Sequence, residues 1–194
     1  MTKEEIAPGI VVYSNVMDGY EELPQDIEDV VDSGLVTWFS AQIEGGENKK
    51  IRNTNSIHVP FLNNFDVPLS SPKDFFETNL SEIFFNAFNT LENDYKMQYG
   101  IDFSDHSPYD VLKYGKGQLF TNHIDDHTKY PRRISLVYYF NDNYEGGEIN
   151  FPRLNLSFKP KANQLLMFPS SYVYNHSVSE VTDGTRYAVV SWIN

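Results

Sequence analysis

Turn signals break the chain from Tyr109 to Asn194 into short strand-like pieces, and this punctuation limits the possible fold more than any other feature. The pieces Asp110–Tyr114, Gln118–Thr121, Ile134–Phe140, Gly147–Phe151, Leu156–Phe158, Gln164–Phe168, Asn175–Glu180 and Tyr187–Ile193 are rich in β-branched and aromatic residues. Between them stand Gly115-Lys116-Gly117, Asn141-Asp142-Asn143, Gly146-Gly147 and Asp183-Gly184. Pieces this short, spaced this evenly, suit the strands of a sandwich or jelly roll.

The first half reads differently. Ile10–Tyr13 is an early strand. Leu23-Pro24-Gln25-Asp26 opens a short helix, since Pro suits the first turn and Asp26, Glu28 and Asp29 favour the positive helix end. Ile27, Val30 and Val31 form its apolar face, and Gly34 stands where such a helix stops. Leu35–Ile43 reads as a strand closed by the turn Glu44-Gly45-Gly46, and Glu44–Ser70 as an irregular segment. Ser71-Pro72-Lys73-Asp74 then begins the clearest helix. Its apolar positions Phe76, Leu80, Ile83, Phe84, Ala87, Phe88, Leu91 and Tyr95 recur at three- and four-residue spacing as far as Tyr99-Gly100. The expected fold is mainly β with α: a double-stranded β-helix, or jelly roll, with N-terminal supporting helices, in a single domain over 1–194.

Composition narrows the chemistry. Cysteine is absent, so disulfides, a catalytic thiol, Cys-ligated zinc and iron–sulfur clusters are excluded, and a metal must be held by His, Asp or Glu. A net charge of −12 disfavours binding to nucleic acid and favours a basic peptide partner. The start lacks the basic-then-apolar pattern of a secretory signal and no apolar run is long enough to span a bilayer, so a cytoplasmic protein without membrane attachment is expected.

Among the five histidines, the informative unit is His123-Ile124-Asp125. On an extended strand residues i and i+2 point to the same side, which sets an imidazole beside a carboxylate. A distant His, best sought in another strand at His176, completes the two-His, one-carboxylate face suited to Fe(II) with open positions. Ten residues beyond His176 comes Arg186; an inward-facing Arg needs an anion, and a dicarboxylate could reach both metal and guanidinium. Blander readings exist for each residue. The tripeptide fits a surface turn, His176 a strand histidine, Arg186 a surface ion pair, and Tyr114, Tyr139 and Trp192 ordinary core packing. A set His123-x-Asp125-x-His127 is also possible but leaves Arg186 unexplained. His58 and His106 read as loop residues, and the acidic run Glu21 to Asp32 as a solvated helix face.

The run Tyr114-x-x-Gly117-x-x-Phe120-x-x-His123-x-Asp125 resembles the metal-binding strand of the prolyl 4-hydroxylase branch of the 2-oxoglutarate/Fe(II) oxygenases. Ile134-Ser135-Leu136-Val137-Tyr138-Tyr139-Phe140-Asn141 resembles that family's next core strand. Glu145-Gly146-Gly147-Glu148-Ile149 resembles its Gly-Gly-Glu hairpin, and His176 with Arg186-Tyr187-Ala188 its terminal strands. The resemblance spans Tyr109 to Asn194; the ending Arg-Tyr-Ala-Val-Val-Ser-Trp is closest to the oxygen-sensing group and its bacterial relatives, whereas collagen-type enzymes usually carry Lys at Arg186.

That resemblance implies Fe(II) held by His123, Asp125 and His176. It implies 2-oxoglutarate met at its distal carboxylate by Arg186 and Tyr139, with Tyr114, Val137 and Trp192 lining the cosubstrate pocket beside Val190; ascorbate is a further cofactor in keeping with it. It implies hydroxylation of a prolyl residue in a proline-containing peptide or protein, consuming O2 and 2-oxoglutarate and giving succinate and CO2. The alternatives are hydroxylation of a free amino acid, a small metabolite or another side chain, and a jelly-roll binding module without activity. On this reading 106–194 is the catalytic β-core and 1–105 the helical support and substrate loop, in which Arg52 and Asn53-Thr54-Asn55-Ser56 resemble the loop's start. The setting it implies is the cytoplasm of a bacterium or of a virus-infected host cell.

Overall fold

The computed structural model describes residues 1–43, 46–66, 69–102, 105–129 and 131–194. The strands, in chain order, are β1 (Thr2–Ala7), β2 (Ile10–Ser14), β3 (Phe39–Ser40), β4 (Arg52–Asn53), β5 (Asn55–Val59), β6 (Tyr109–Tyr114), β7 (Leu119–His123), β8 (Ile134–Tyr139), β9 (Glu145–Gly146), β10 (Ile149–Phe151), β11 (Leu156–Phe158), β12 (Gln164–Pro169), β13 (His176–Val178), β14 (Val181–Asp183) and β15 (Arg186–Ile193). Two helices, α1 (Leu23–Asp32) and α2 (Pro72–Tyr99), precede β6.

The strands form an eight-stranded sheet in the order β1-β2-β12-β8-β15-β6-β5-β3, a five-stranded sheet in the order β11-β10-β13-β7-β4, and the small pair β14-β9. The two larger sheets face each other as the double-stranded β-helix that the strand pattern predicts. Strand β8 shows why the layers stack this way. It is buried along its whole length. Its Ile134, Leu136 and Tyr138 pack towards α2 with Phe84, Phe88 and Val189, while Val137 and Tyr139 pack towards the smaller sheet with Ile149, Phe151 and Ala188. A strand covered on both faces reads as an unbroken apolar run, as Ile134–Phe140 does.

Helix α2 has the predicted ends. Ser71 caps it, its Oγ accepting from Asp74 N at 3.1 Å, and Gly100 closes it at φ 61 with its N–H on Lys96 O. Leu80, Phe84, Phe88, Leu91 and Tyr95 form the buried stripe against the larger sheet. In α1, Glu28 departs from the expected solvated face: its carboxylate accepts from Lys113 Nζ and Tyr187 Oη, each at 2.7 Å, tying helix to sheet.

Other expectations need correction. Leu35–Ile43 carries only the two-residue strand β3, plus an isolated bridge between Ile43 and Gly46; Glu44 and Gly45 of the expected turn lie outside the described residues. The segment expected to be irregular holds β4 and β5, and β1 appears where no strand was expected. The first 105 residues thus supply five strands to the two sheets as well as both helices. His58 lies in β5 beside Asp110 at 3.0 Å. His106 is half-buried, stacked on Phe61 at 4.2 Å with Nε2 on Glu92 at 3.1 Å.

Candidate active site

A cavity of about 700 Å³ opens between the sheets. His123, Asp125 and His176 line it, as do Arg186, Tyr114, Val137, Val190 and Trp192. Its walls also carry Arg52, Lys129 and Arg132, so the acidic balance of the whole chain does not describe the field inside it.

Sheet pairing brings the two histidines together. His123 ends β7, His176 begins β13, and the two residues are direct partners across the ladder, with ring centroids 4.2 Å apart. Nδ1 of His123 lies 2.9 Å from Thr121 O and Nδ1 of His176 lies 3.1 Å from Tyr174 O. A carbonyl only accepts, so each Nδ1 carries a proton and Nε2 is the ring nitrogen left to face inward. Those Nε2 atoms stand 3.3 Å and 3.7 Å from the two carboxylate oxygens of Asp125. All three ligand atoms lie within 4.8 Å of one another, a span that one divalent ion with bonds of about 2.0–2.2 Å can bridge.

Asp125 arrives by a different route from the one its spacing suggests. Strand β7 stops at His123, so the carboxylate comes from the loop beyond rather than from the same extended strand. Ser135 of β8 holds it: Oγ donates to Oδ2 at 2.7 Å and contacts Ser170 Oγ at 2.8 Å. The loop backbone is pinned where Asp126 N donates to Ser170 O at 3.0 Å. Ile124, between His123 and Asp125 in sequence, is 47% exposed at the open side of the cavity.

The ionisation states suit a metal. Burial pushes the His176 imidazole down to about 4, so it is neutral at neutral pH. Burial alone works against the Asp125 carboxylate, but the His176 and His123 rings and the Ser135 hydroxyl outweigh it and hold the group well below the usual range. Two imidazoles and one carboxylate are the donor types that a divalent cation takes in their deprotonated forms. His127 lines the cavity but is outside this cluster, and its Nδ1 accepts from Lys129 N at 3.1 Å.

The other end of the cavity is built around Arg186. Strand alternation points Arg186, Ala188, Val190 and Trp192 to one face of β15, and pairing sets Arg186 opposite Tyr114 and Ala188 opposite Tyr139. The guanidinium lies 4.8 Å from the Tyr114 ring centre and 5.0 Å from that of Tyr139. Arg186 is 1% exposed, its Nε and Nη1 have no hydrogen-bond partner, and among the described residues it has no carboxylate in ion-pair contact. A buried unpaired cation costs several kcal/mol, so this arrangement is that of a receptor for an anion. The Tyr139 hydroxyl is buried and also lacks a partner.

The motif Gly146-Gly147 has a steric basis here. A Cβ on Gly146 would stand 2.0 Å from Glu180 O, and one on Gly147 would stand 2.9 Å from the Tyr144 ring and 3.1 Å from Arg186 Cδ. The hairpin can approach the arginine only without side chains.

Three residues at the site escaped the sequence reading: Ser135, Tyr144 and Arg132. Ser135 shares the inward face of β8 with Val137 and Tyr139, and that two-residue period could have found it. Arg132 stacks on Trp192, its guanidinium 3.5 Å from the ring centre, a contact with no local sequence signature.

Residues 109–194 match the family model of the 2OG-Fe(II) oxygenase superfamily. Similar proteins bear hydroxylase names. A PKHD-type hydroxylase of Prochlorococcus marinus is 37% identical over 84 residues, 40% of this chain and 37% of the relative. The chain thus matches little more than a third of the length of such relatives. A putative prolyl 4-hydroxylase of Acanthamoeba polyphaga mimivirus is 23% identical, over 93% of this chain and 77% of that one. In fold the chain is similar to a Trichoplax adhaerens prolyl hydroxylase solved with a hypoxia inducible factor peptide fragment, with TM-score 0.76, 19% identity, and coverage of 95% of this chain and 83% of that one. A Pseudomonas putida prolyl-4-hydroxylase gives TM-score 0.72 at 16% identity, covering 96% and 92% of the two chains. Among the described residues no helix is long and apolar enough to cross a membrane.

Proposed function

We propose that this protein is a 2-oxoglutarate- and O2-dependent dioxygenase that hydroxylates a prolyl residue in a peptide or protein, with Fe(II) held by His123, Asp125 and His176. The observation that carries the reading is the buried Arg186 guanidinium, its Nε and Nη1 without a hydrogen-bond partner, lining the same cavity as two inward Nε2 atoms and a carboxylate. A dicarboxylate joining the two ends satisfies both. Bound Fe(II) with 2-oxoglutarate would couple decarboxylation, to succinate and CO2, to insertion of one oxygen atom of O2 into a substrate C–H bond.

The protein's part is placement. Thr121 O and Tyr174 O orient the two imidazoles, and Ser135 orients the carboxylate. Arg186 and Tyr139 receive the distal carboxylate of 2-oxoglutarate, and Tyr114, Val137, Val190 and Trp192 wall its pocket and exclude water. Support for a peptide rather than a small metabolite comes from the names of the relatives and from the open side of the cavity, where Ile51 and Ile124 stand exposed. Ascorbate enters this reading on the resemblance alone.

The test is succinate release with a panel of proline-containing peptides and free amino acids, the products weighed by mass spectrometry. The reading expects one added oxygen on a prolyl residue, matched by succinate. Oxidation of a free amino acid instead would move the substrate class, and no succinate under any condition would defeat the reading.

A further inference from the structure

Beside Arg186, behind the residues that line the cavity, lies a second phenol in addition to Tyr139. Tyr144 follows β8 and precedes the Gly-Gly hairpin, and it is 5% exposed. Its ring and the Arg186 side chain flank Gly147 from two sides, 2.9 Å and 3.1 Å from the position a Cβ would take there. Its hydroxyl is buried and has no hydrogen-bond partner, as is true of Tyr139 Oη and of Arg186 Nε and Nη1. Lys159 covers the outer face of the ring, with Nζ 4.3 Å from its centre and bonded to Tyr144 O at 3.2 Å, so the residue is held on both sides.

Four polar groups that can donate are therefore buried together; the two phenols lie near enough to the guanidinium to influence it, but among the described residues no carboxylate meets any of the four. Native interiors rarely leave even one such group unpaired. A carboxylate offers about four lone-pair sites on its two oxygens, enough to accept from all four. Burial raises the pKa of the Tyr144 hydroxyl and of the Tyr139 hydroxyl, so both phenols stay protonated and able to donate.

We propose that Tyr144 is a cosubstrate-binding residue, a second phenol donor that joins Tyr139 and Arg186 on the distal carboxylate of 2-oxoglutarate. This deepens the proposed function and rests on it. The four-donor end makes the pocket specific for an anionic terminus. A neutral terminal amide of the same length offers one acceptor oxygen and brings its own N–H groups against the protein's donors.

The experiment measures binding by calorimetry in the absence of O2, with Mn(II) in place of iron and two probes: 2-oxoglutarate and its terminal amide. Wild-type protein is compared with Tyr144→Phe and Tyr139→Phe, and each variant's melting temperature is taken without ligand. The proposal expects Tyr144→Phe to weaken 2-oxoglutarate binding by roughly ten- to a hundredfold, the range for a hydrogen bond to a charged group. The amide should be affected far less, so the preference for the acid narrows, as it does for Tyr139→Phe. Equal weakening of both probes, or none, with the effect of Tyr139→Phe intact, would overturn the role of Tyr144 while leaving the proposed function standing. Failure of wild-type protein to bind 2-oxoglutarate would overturn both. A lowered melting point in Tyr144→Phe, with acid preference unchanged, would show a packing role only and also count against the proposal.

Discussion

The two ends of the cavity solve the problem of buried polarity in opposite ways. At the His123, Asp125 and His176 end, every group has a partner in the protein: each Nδ1 has a carbonyl, and the carboxylate has Ser135 and faces both rings. At the Arg186 end a full charge and two phenols are buried with aromatic rings beside the guanidinium, but Arg186 Nε and Nη1 and both hydroxyls have no hydrogen-bond partner. The first end is organised whether or not anything binds, and the second makes energetic sense only with an anion. The contrast predicts that substitutions at the two ends will separate stability from binding.

The largest effect is expected at the organised end. His176→Ala removes one of three converging donors and should reduce succinate formation to background, with loss of the melting-point rise that Mn(II) gives wild-type protein. Retained metal-dependent stabilisation in this variant would place the ion elsewhere. Next comes Arg186→Met, for which two opposite changes are expected. Affinity for 2-oxoglutarate, read by calorimetry, should fall by about 2–5 kcal/mol, as when one partner of a buried charge pair is truncated. Stability to urea without ligand should rise by about 1–4 kcal/mol, because an apolar chain replaces a buried unpaired charge. A fall in both would mean that Arg186 holds the fold together and would erase the distinction between the ends.

Smaller effects sharpen the comparison. Tyr139→Phe should weaken 2-oxoglutarate binding by about 1.5–3 kcal/mol while leaving metal affinity unchanged. Ser135→Ala should do the reverse. It frees the Asp125 carboxylate and should weaken metal binding roughly 10–100-fold, as loss of an outer-shell partner typically does, with little change in 2-oxoglutarate affinity at saturating metal. Crossed results, with Ser135→Ala acting on the cosubstrate or Tyr139→Phe on the metal, would merge the two ends into one coupled unit.

How much of this was legible beforehand follows from where each signal lies. Helix α2 announced itself through Ser71, Pro72 and Gly100 because capping chemistry is local. The buried strands β8, β12 and β15 were legible because core strands are apolar. Strand β1 was not: its Thr-Lys-Glu-Glu start is exposed at a sheet edge and is held by backbone pairing to β2, which leaves no apolar pattern. In β5, Asn55, Ser56 and His58 obscure a strand whose buried residues are only Ile57 and Val59. At the site, the His-x-Asp unit and the resemblance of the terminal strands brought His123 and His176 forward, and the ladder that pairs them is visible only in the fold. Asp125 was found for an incomplete reason, since the loop and Ser135 place it rather than the strand. Ser135 and Tyr144 act through contacts that cross from one element to another, and no short window of sequence contains such a contact.

The central claim is that both ends of the cavity serve one ligand. An anaerobic crystal structure with Fe(II) and 2-oxoglutarate tests it most directly. The account predicts one ion about 2.0–2.2 Å from Nε2 of His123, Nε2 of His176 and a carboxylate oxygen of Asp125, chelated by the keto-acid end of a molecule whose far carboxylate rests on Arg186. An ion bound by other residues, or 2-oxoglutarate lying away from Arg186 while the ion is in place, would contradict it.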